Sequence, residues 1–243
     1  MTYFNALRAI FFDLDDTLYD HTFAHAQATC SGKAADVALR DVSFELYEAR
    51  ASALLEEIHP SVVAGHLSFD AARMRRYELL ADEFGGNRSL ASIQAAAHIA
   101  TYRTAERAVP GAHQLLAALK RAGFPMFIVS NNARIEQEGK LARLGLDHFF
   151  DALIVSGDHP FAKPDPRLFA VALEVSGVEA SGAVHVGDSY ANDVVGARAS
   201  GIRSIWVDRV GQSARSITCD ASQIMHDFTD CESAFRKITL TAI

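Results

Sequence analysis

Short apolar runs, each cut off by a polar or acidic residue, recur along the chain. Leu7 to Phe12 ends at Asp13, and Phe124 to Val129 ends at Ser130. Ala152 to Val155 is a third, Ala183 to Val186 ends at Gly187 and Asp188, and Ser204 to Val207 ends at Asp208. Runs this short, bounded by turn residues, read as buried strands. A weaker sixth lies near Gln223 to Phe228. Helical segments separate the later strands: Pro110 to Lys120, Ala133 to Arg143, the stretch from Pro166 to Gly177, and Asn192 to Ala199 before Gly201. Asp165 can cap the third of these, with Pro166 inside its start and Gly177 past its end. Alternating strands and helices imply an α/β fold, a Rossmann-like parallel sheet covered by helices on both faces.

Residues 20–108 break this rhythm. The stretch is rich in Ala, Leu, Glu and Arg and reads as four helices, near 21–39, 43–58, 68–84 and 89–107. Ser68 is a candidate N-cap, and Gly85-Gly86 separates two helices. The expected organisation is an α/β core from 1–19 and 109–243, with an all-helical cap domain inserted at 20–108.

Composition narrows the function classes. The 243 residues are 49% apolar and 22% charged, ordinary for a globular chain, and the net charge is −7. A nucleic-acid binder would carry a basic stripe. Arg73, Arg75 and Arg76 form only a short cluster, with Glu78 and Asp82 close behind, and read as a solvated helix face. Cys30, Cys219 and Cys231 are widely spaced and form no CxxC, which argues against zinc or a disulfide framework and fits a reducing, cytoplasmic location. Neither a signal-peptide pattern nor a membrane-length apolar run is present, so no membrane partner is expected.

In open parallel sheets, ligands sit beyond the carboxyl ends of the strands. This chain places Asp13 and Asp15 there from the first strand, Ser130 and Asn131 from the second, Lys163 from the loop after the third, and Asp188 and Asp193 from the fourth. Carboxylates so crowded repel one another and call for a cation. Oxygen ligands favour a hard ion, with Mg²⁺ the usual choice beside phosphate. A lysine and a hydroxyl suit phosphoryl oxygens, and a carboxylate can attack phosphorus to form an acyl phosphate.

FFDLDDTLYD (11–20), IVSNN (128–132), KPDP (163–166) and VGDSYAND (186–193) resemble, in order, the four motifs of the haloacid dehalogenase-like hydrolase superfamily. The resemblance implies a Mg²⁺-dependent phosphatase of a small phosphorylated metabolite: a nucleoside monophosphate, a sugar phosphate or phosphoglycolate. It implies Asp13 as nucleophile and metal ligand, and Asp15 as general acid and base with its carbonyl on the metal. Ser130 and Lys163 would hold the phosphoryl group, Asp188 and Asp193 would ligate Mg²⁺, Thr17 would steady the first loop, and Asn131 would touch substrate or fix a turn. The insert resembles the family's helical cap, a source of specificity. Tyr19, His21 and His25 could line its entrance, or be a packed aromatic and two exposed histidines.

Relatives that attack carbon typically lack the second acid, so Asp15 favours phosphate chemistry over a haloacid dehalogenase. Phosphomutases keep both acids, commonly with glycine where this chain has Asp16. A catalytically idle phosphate-binding module is the reading from another class, and the intact set of Asp13, Asp15, Lys163 and Asp188 argues against it.

Overall fold

Six strands form one parallel sheet: β1 (Ala9–Phe12), β2 (Met126–Ser130), β3 (Ala152–Val155), β4 (Ala183–Gly187), β5 (Arg203–Val207) and β6 (Ile224–Met225), in the spatial order β3-β2-β1-β4-β5-β6. This computed structural model describes residues 7–209, 211 and 224–240. Cys219 and Gln223 of the sequence reading lie outside those residues. β1, β2 and β4 are buried along their whole length, as strands covered on both faces must be. That is why Ala9-Ile10-Phe11-Phe12 shows no polar alternation.

The order of strands fixes where ligands can bind. From β1 the chain moves outward through β2 to β3, then returns to the far side of β1 as β4. The direction of winding therefore reverses between β1 and β4, and the crevice beyond their carboxyl ends is the ligand-binding position of such sheets. Asp13 and Asp188 stand at those two ends. The register pairs Phe12 with Val186, and the Asp13 N–H donates to the Val186 carbonyl at 2.9 Å.

Two compact units make up the chain: residues up to Asp20 together with those from Ala108, and His21–Arg107. The second is all-helical: α1 (His21–Ala34), α2 (Phe44–Val63), α3 (Phe69–Phe84) and α4 (Ala91–Thr104). Ser68 caps α3 by accepting from the Ala71 N–H, and Gly85 closes it in the left-handed conformation. Tyr47, Leu54, Tyr77 and Leu80 form its apolar core. Gly32 is required where α1 meets α3, because a Cβ there would fall 2.0 Å from the Tyr77 hydroxyl. No helix among the described residues is long and apolar enough to cross a membrane.

The insert overturns one expectation. Arg76 is buried at 4% exposure rather than solvated. It shares the inward stripe of α3 with Tyr77, Leu80 and Ala81, so helical phase carries it inside despite its charge. Its guanidinium meets His98 Nε2 at 3.2 Å and lies 5.8 Å from the Tyr77 ring centroid. His25 is buried too, and burial, with Arg76 and His21 nearby, drives its pKa down to about 2. His21 is half-buried, with Nδ1 2.8 Å from the Tyr102 hydroxyl.

The remaining helices flank the sheet: α5 (Ala112–Arg121), α6 (Arg134–Leu144), α7 (Pro166–Ser176), α8 (Gly196–Ala199) and α9 (Cys231–Thr239). Asp165 caps α7, with Pro166 in its first turn and Gly177 left-handed at its end. A π-helical turn, Tyr190–Val195, precedes α8, so the single helix expected over 192–199 is split in two. Phe11, Phe127, Leu168 and Phe169 anchor the core between sheet and helices.

Candidate active site

Asp13, at the end of β1, is 6% exposed. Its Oδ1 accepts from Lys163 Nζ at 2.7 Å, and the same ammonium donates to Asp193 Oδ1 at 2.6 Å. The Thr17 hydroxyl lies 3.2 Å from Asp13 Oδ2 and 3.3 Å from Asp188 Oδ1. One carboxylate oxygen from each of Asp13, Asp188 and Asp193 falls within 4.8 Å of the others. Three carboxylates thus face one ammonium, an imbalance that a divalent cation would correct. The all-oxygen donor set suits a hard ion.

Local structure explains how distant residues meet. Asp16 takes a left-handed φ of 59°, which aspartate tolerates better than most side chains, and so turns the chain directly after Asp15. Asn131, at the end of β2, grips the backbone of Lys163: its Nδ2 donates to the Lys163 carbonyl and its Oδ1 accepts the Lys163 N–H, both at 2.8 Å. Gly187 ends β4 because a Cβ there would sit 2.3 Å from Asp193 Cγ. Trp206 Nε1 donates to the Asp188 carbonyl at 2.7 Å and holds that loop against β5.

The electrostatics divide the acids. Burial raises the Asp13 pKa to about 7; Lys163 opposes this, and Asp193 and Asp15 add to it. Burial, with Asp13 and Asp193 close by, raises Asp188 to about 9. Burial would raise Asp193 as well, but Lys163 and His185 outweigh it and hold that carboxyl well below the usual range. Burial would lower Lys163, yet Asp13 and Asp193 push it above the ordinary lysine value. Burial keeps His185 neutral against the pull of Asp193. Its Nε2–H therefore donates to Asp193 Oδ1 at 2.8 Å.

Asp15 has different partners. Lys140 Nζ donates to its Oδ1 at 2.6 Å, and Gln137 Nε2 to its Oδ2 at 2.8 Å. Gln137 Nε2 also reaches Ser130 Oγ at 2.6 Å, and Asn132 Nδ2 lies 3.4 Å from Asp15 Oδ2. Sequence reasoning missed Gln137, Lys140, Asn132 and His185. One signal was present in α6: Gln137 and Lys140 share a face with Leu141, whereas Ile135 is 77% exposed.

At the topological switch point of this parallel α/β sheet, Asp13, Asp188 and Asp193 form a group of carboxylates that could hold a cation. Comparison makes the class specific. The family pattern of haloacid dehalogenase-like hydrolases matches residues 7–201. The chain is 32% identical over 206 residues to a glyceraldehyde 3-phosphate phosphatase of Methanothermobacter thermautotrophicus, covering 83% of this chain and 86% of that protein. It is 33% identical over 226 residues to a phosphoserine phosphatase of Thermus thermophilus, covering 84% and 89%. The crystal structure of the HAD-hydrolase YfnB from Bacillus subtilis, bound to magnesium, superposes with a TM-score of 0.75 at 20% identity over 95% of this chain and 99% of that one. The chain belongs to the haloacid dehalogenase-like hydrolases.

Proposed function

We propose that this chain is a Mg²⁺-dependent phosphatase that hydrolyses a small phosphorylated metabolite through a phospho-aspartate on Asp13. The observation that carries this reading is the separation of two neighbouring acids: Asp13 is paired with Lys163 inside the acidic cluster, and Asp15 is held apart by Lys140 and Gln137. The two acids thereby have separate partners and can take separate roles, Asp13 attacking phosphorus and Asp15 carrying the proton.

In the first step an Asp13 carboxylate oxygen bonds to phosphorus while the bond from phosphorus to the leaving oxygen breaks. Asp15 gives that oxygen its proton. In the second step Asp15 takes a proton from water as the water oxygen bonds to phosphorus, and the acyl phosphate bond breaks to return Asp13 as carboxylate. Lys163 and the Ser130 hydroxyl bind phosphoryl oxygens as charge develops on them. Asn131 acts by holding Lys163 in place. Asp13, the Asp15 carbonyl and Asp188 would hold Mg²⁺, with Asp193 beside them directly or through water; the bound ion would neutralise charge among the carboxylates and the phosphoryl oxygens.

Two relatives named above, a glyceraldehyde 3-phosphate phosphatase and a phosphoserine phosphatase, support a small phosphomonoester; a nucleoside monophosphate, a sugar phosphate and phosphoglycolate are the candidate classes. Within this reading the helical insert is the cap that confers specificity. The test is phosphate release from a panel of phosphomonoesters with Mg²⁺ and with excess chelator. The reading expects turnover of at least one small phosphomonoester, abolished by chelator and restored by Mg²⁺. Full activity in excess chelator would refute the metal-dependent mechanism.

A further inference from the structure

Lys140 is a buried cation that the steps above do not use. Its side chain is 2% exposed, yet it lies on α6, a helix whose Ile135 is 77% exposed. A lysine is buried at the expense of an apolar neighbour only when it is well paired, and its partner here is Asp15. Its ammonium also lies 5.0 Å from the Tyr19 ring centroid, the distance of a cation–π contact.

Gln137, fully buried, completes the arrangement. The Gln137 side chain turns its NH₂ toward Asp15 and donates to Oδ2 at 2.8 Å. The same NH₂ has a second hydrogen, and Ser130 Oγ receives it at 2.6 Å. Because that hydroxyl oxygen accepts from Gln137, its own hydrogen is left to be donated elsewhere. One helical turn of α6 thereby fixes both oxygens of Asp15 and the direction of the Ser130 O–H.

We infer that Lys140 and Gln137 are positioning residues: they hold Asp15 where it exchanges a proton with the leaving oxygen, and they turn the Ser130 hydroxyl toward the phosphoryl group. The two lysines divide the work, Lys163 serving Asp13 and Lys140 serving Asp15. The inference rests on the reading of Asp15 as proton carrier.

The test is leaving-group dependence. For this reaction kcat/KM reports the steps up to departure of the leaving group, so it isolates the first proton transfer. Lys140→Met keeps the length and apolar stem of the side chain and removes its charge. Against a series from nitrophenyl to alkyl phosphates, Lys140→Met should lose at least about tenfold more kcat/KM on the alkyl esters than on the nitrophenyl ester, within the 10²–10⁴ that such proton transfer supplies. A structural defect lowers every substrate equally. In an Asp15→Asn background, Lys140→Met should add little, because coupled residues are not additive. Equal losses across the series, or full additivity with Asp15→Asn, would overturn the inference. Gln137→Met provides the same comparison should Lys140→Met fail to fold. Asp15→Asn alone separates the two ideas. If it leaves the leaving-group dependence unchanged, the reading of Asp15 is wrong; if it steepens the dependence and both α6 variants do not, only the inference fails.

Discussion

Removing the Lys163 ammonium should damage stability and catalysis by separable amounts. Its Nζ touches Asp13 at 2.7 Å and Asp193 at 2.6 Å, and the exposures of the three side chains are 2%, 9% and 2%. At an effective dielectric constant of about 20, opposite charges at such distances attract by about 6 kcal/mol, and desolvation offsets most of it. Breaking a buried pair while its partner stays charged costs about 3–5 kcal/mol. Lys163→Ala should therefore lower unfolding free energy by up to that amount in metal-free buffer, Asp13 avoiding part of the cost by taking up a proton, and by less with Mg²⁺, which supplies countercharge to the abandoned carboxylates. Lys163→Met fills the space and should lose nearly as much, because the loss is of charge rather than volume. The effect on rate comes from the phosphoryl oxygens. One missing electrostatic donor costs about 2.7–4 kcal/mol of transition-state binding, or 10²–10³ in kcat. Urea unfolding in chelator and in Mg²⁺, with steady-state kinetics on one phosphomonoester, measures both. A Lys163→Ala enzyme within about threefold of the parent rate would refute the assigned role, since even one lost donor is worth far more.

The raised carboxyls make the metal-free protein sensitive to alkaline pH. Asp13 and Asp188, at about 7 and about 9, bind protons more tightly folded than unfolded. Their contribution to stability is complete below the unfolded value of 3.8 and is lost as pH rises through those folded values. Asp193 has the opposite sign, and its contribution is lost only in acid. The stabilisation gained on adding Mg²⁺, read as a melting-temperature shift, should therefore grow from about pH 6 to about pH 9 as protons stop competing with the ion; a shift flat across that window would contradict the electrostatic picture. In the helical insert, Arg76 is 4% exposed, and the groups acting on it are Tyr77, Tyr47, Tyr102 and Arg73 rather than carboxylates. Burying a cation so is costly, so Arg76→Met should be neutral or stabilising in urea unfolding, and a loss above about 2 kcal/mol would show that the guanidinium is satisfied after all.

How much of this was legible in the sequence follows from what each signal depends on. The parallel sheet was readable because strands buried on both faces are short unbroken apolar runs: Ala152–Val155 appears as expected, the ends of β1, β2, β4 and β5 differ by a residue or two, and β6 is only Ile224–Met225 where a run to Phe228 was expected. The meeting of Asp13, Asp188, Asp193 and Lys163 was readable because the carboxyl ends of such strands converge wherever the chain passes between them. Arg76 was misread because local charge was weighed above helical phase. His25 escaped for a related reason, as α1 has little apolar contrast to show which face is inward. Lys140 and Gln137 were missed because their burial is imposed by a carboxylate 125 and 122 residues away, and nothing within α6 records that partner. His185 was hidden in a strand, where a residue between two valines reads as filler until Asp193 is seen against it.

The central claim is the covalent intermediate on Asp13. Mixing the enzyme briefly with a turned-over phosphomonoester, quenching in acid and mapping the modification by mass spectrometry tests it directly. The account predicts one phosphoryl group on Asp13, accumulating further in an Asp15→Asn variant because water then lacks its base, and absent from Asp13→Asn together with turnover. Phosphate on any other residue, or an Asp13→Asn enzyme of full activity, would contradict it.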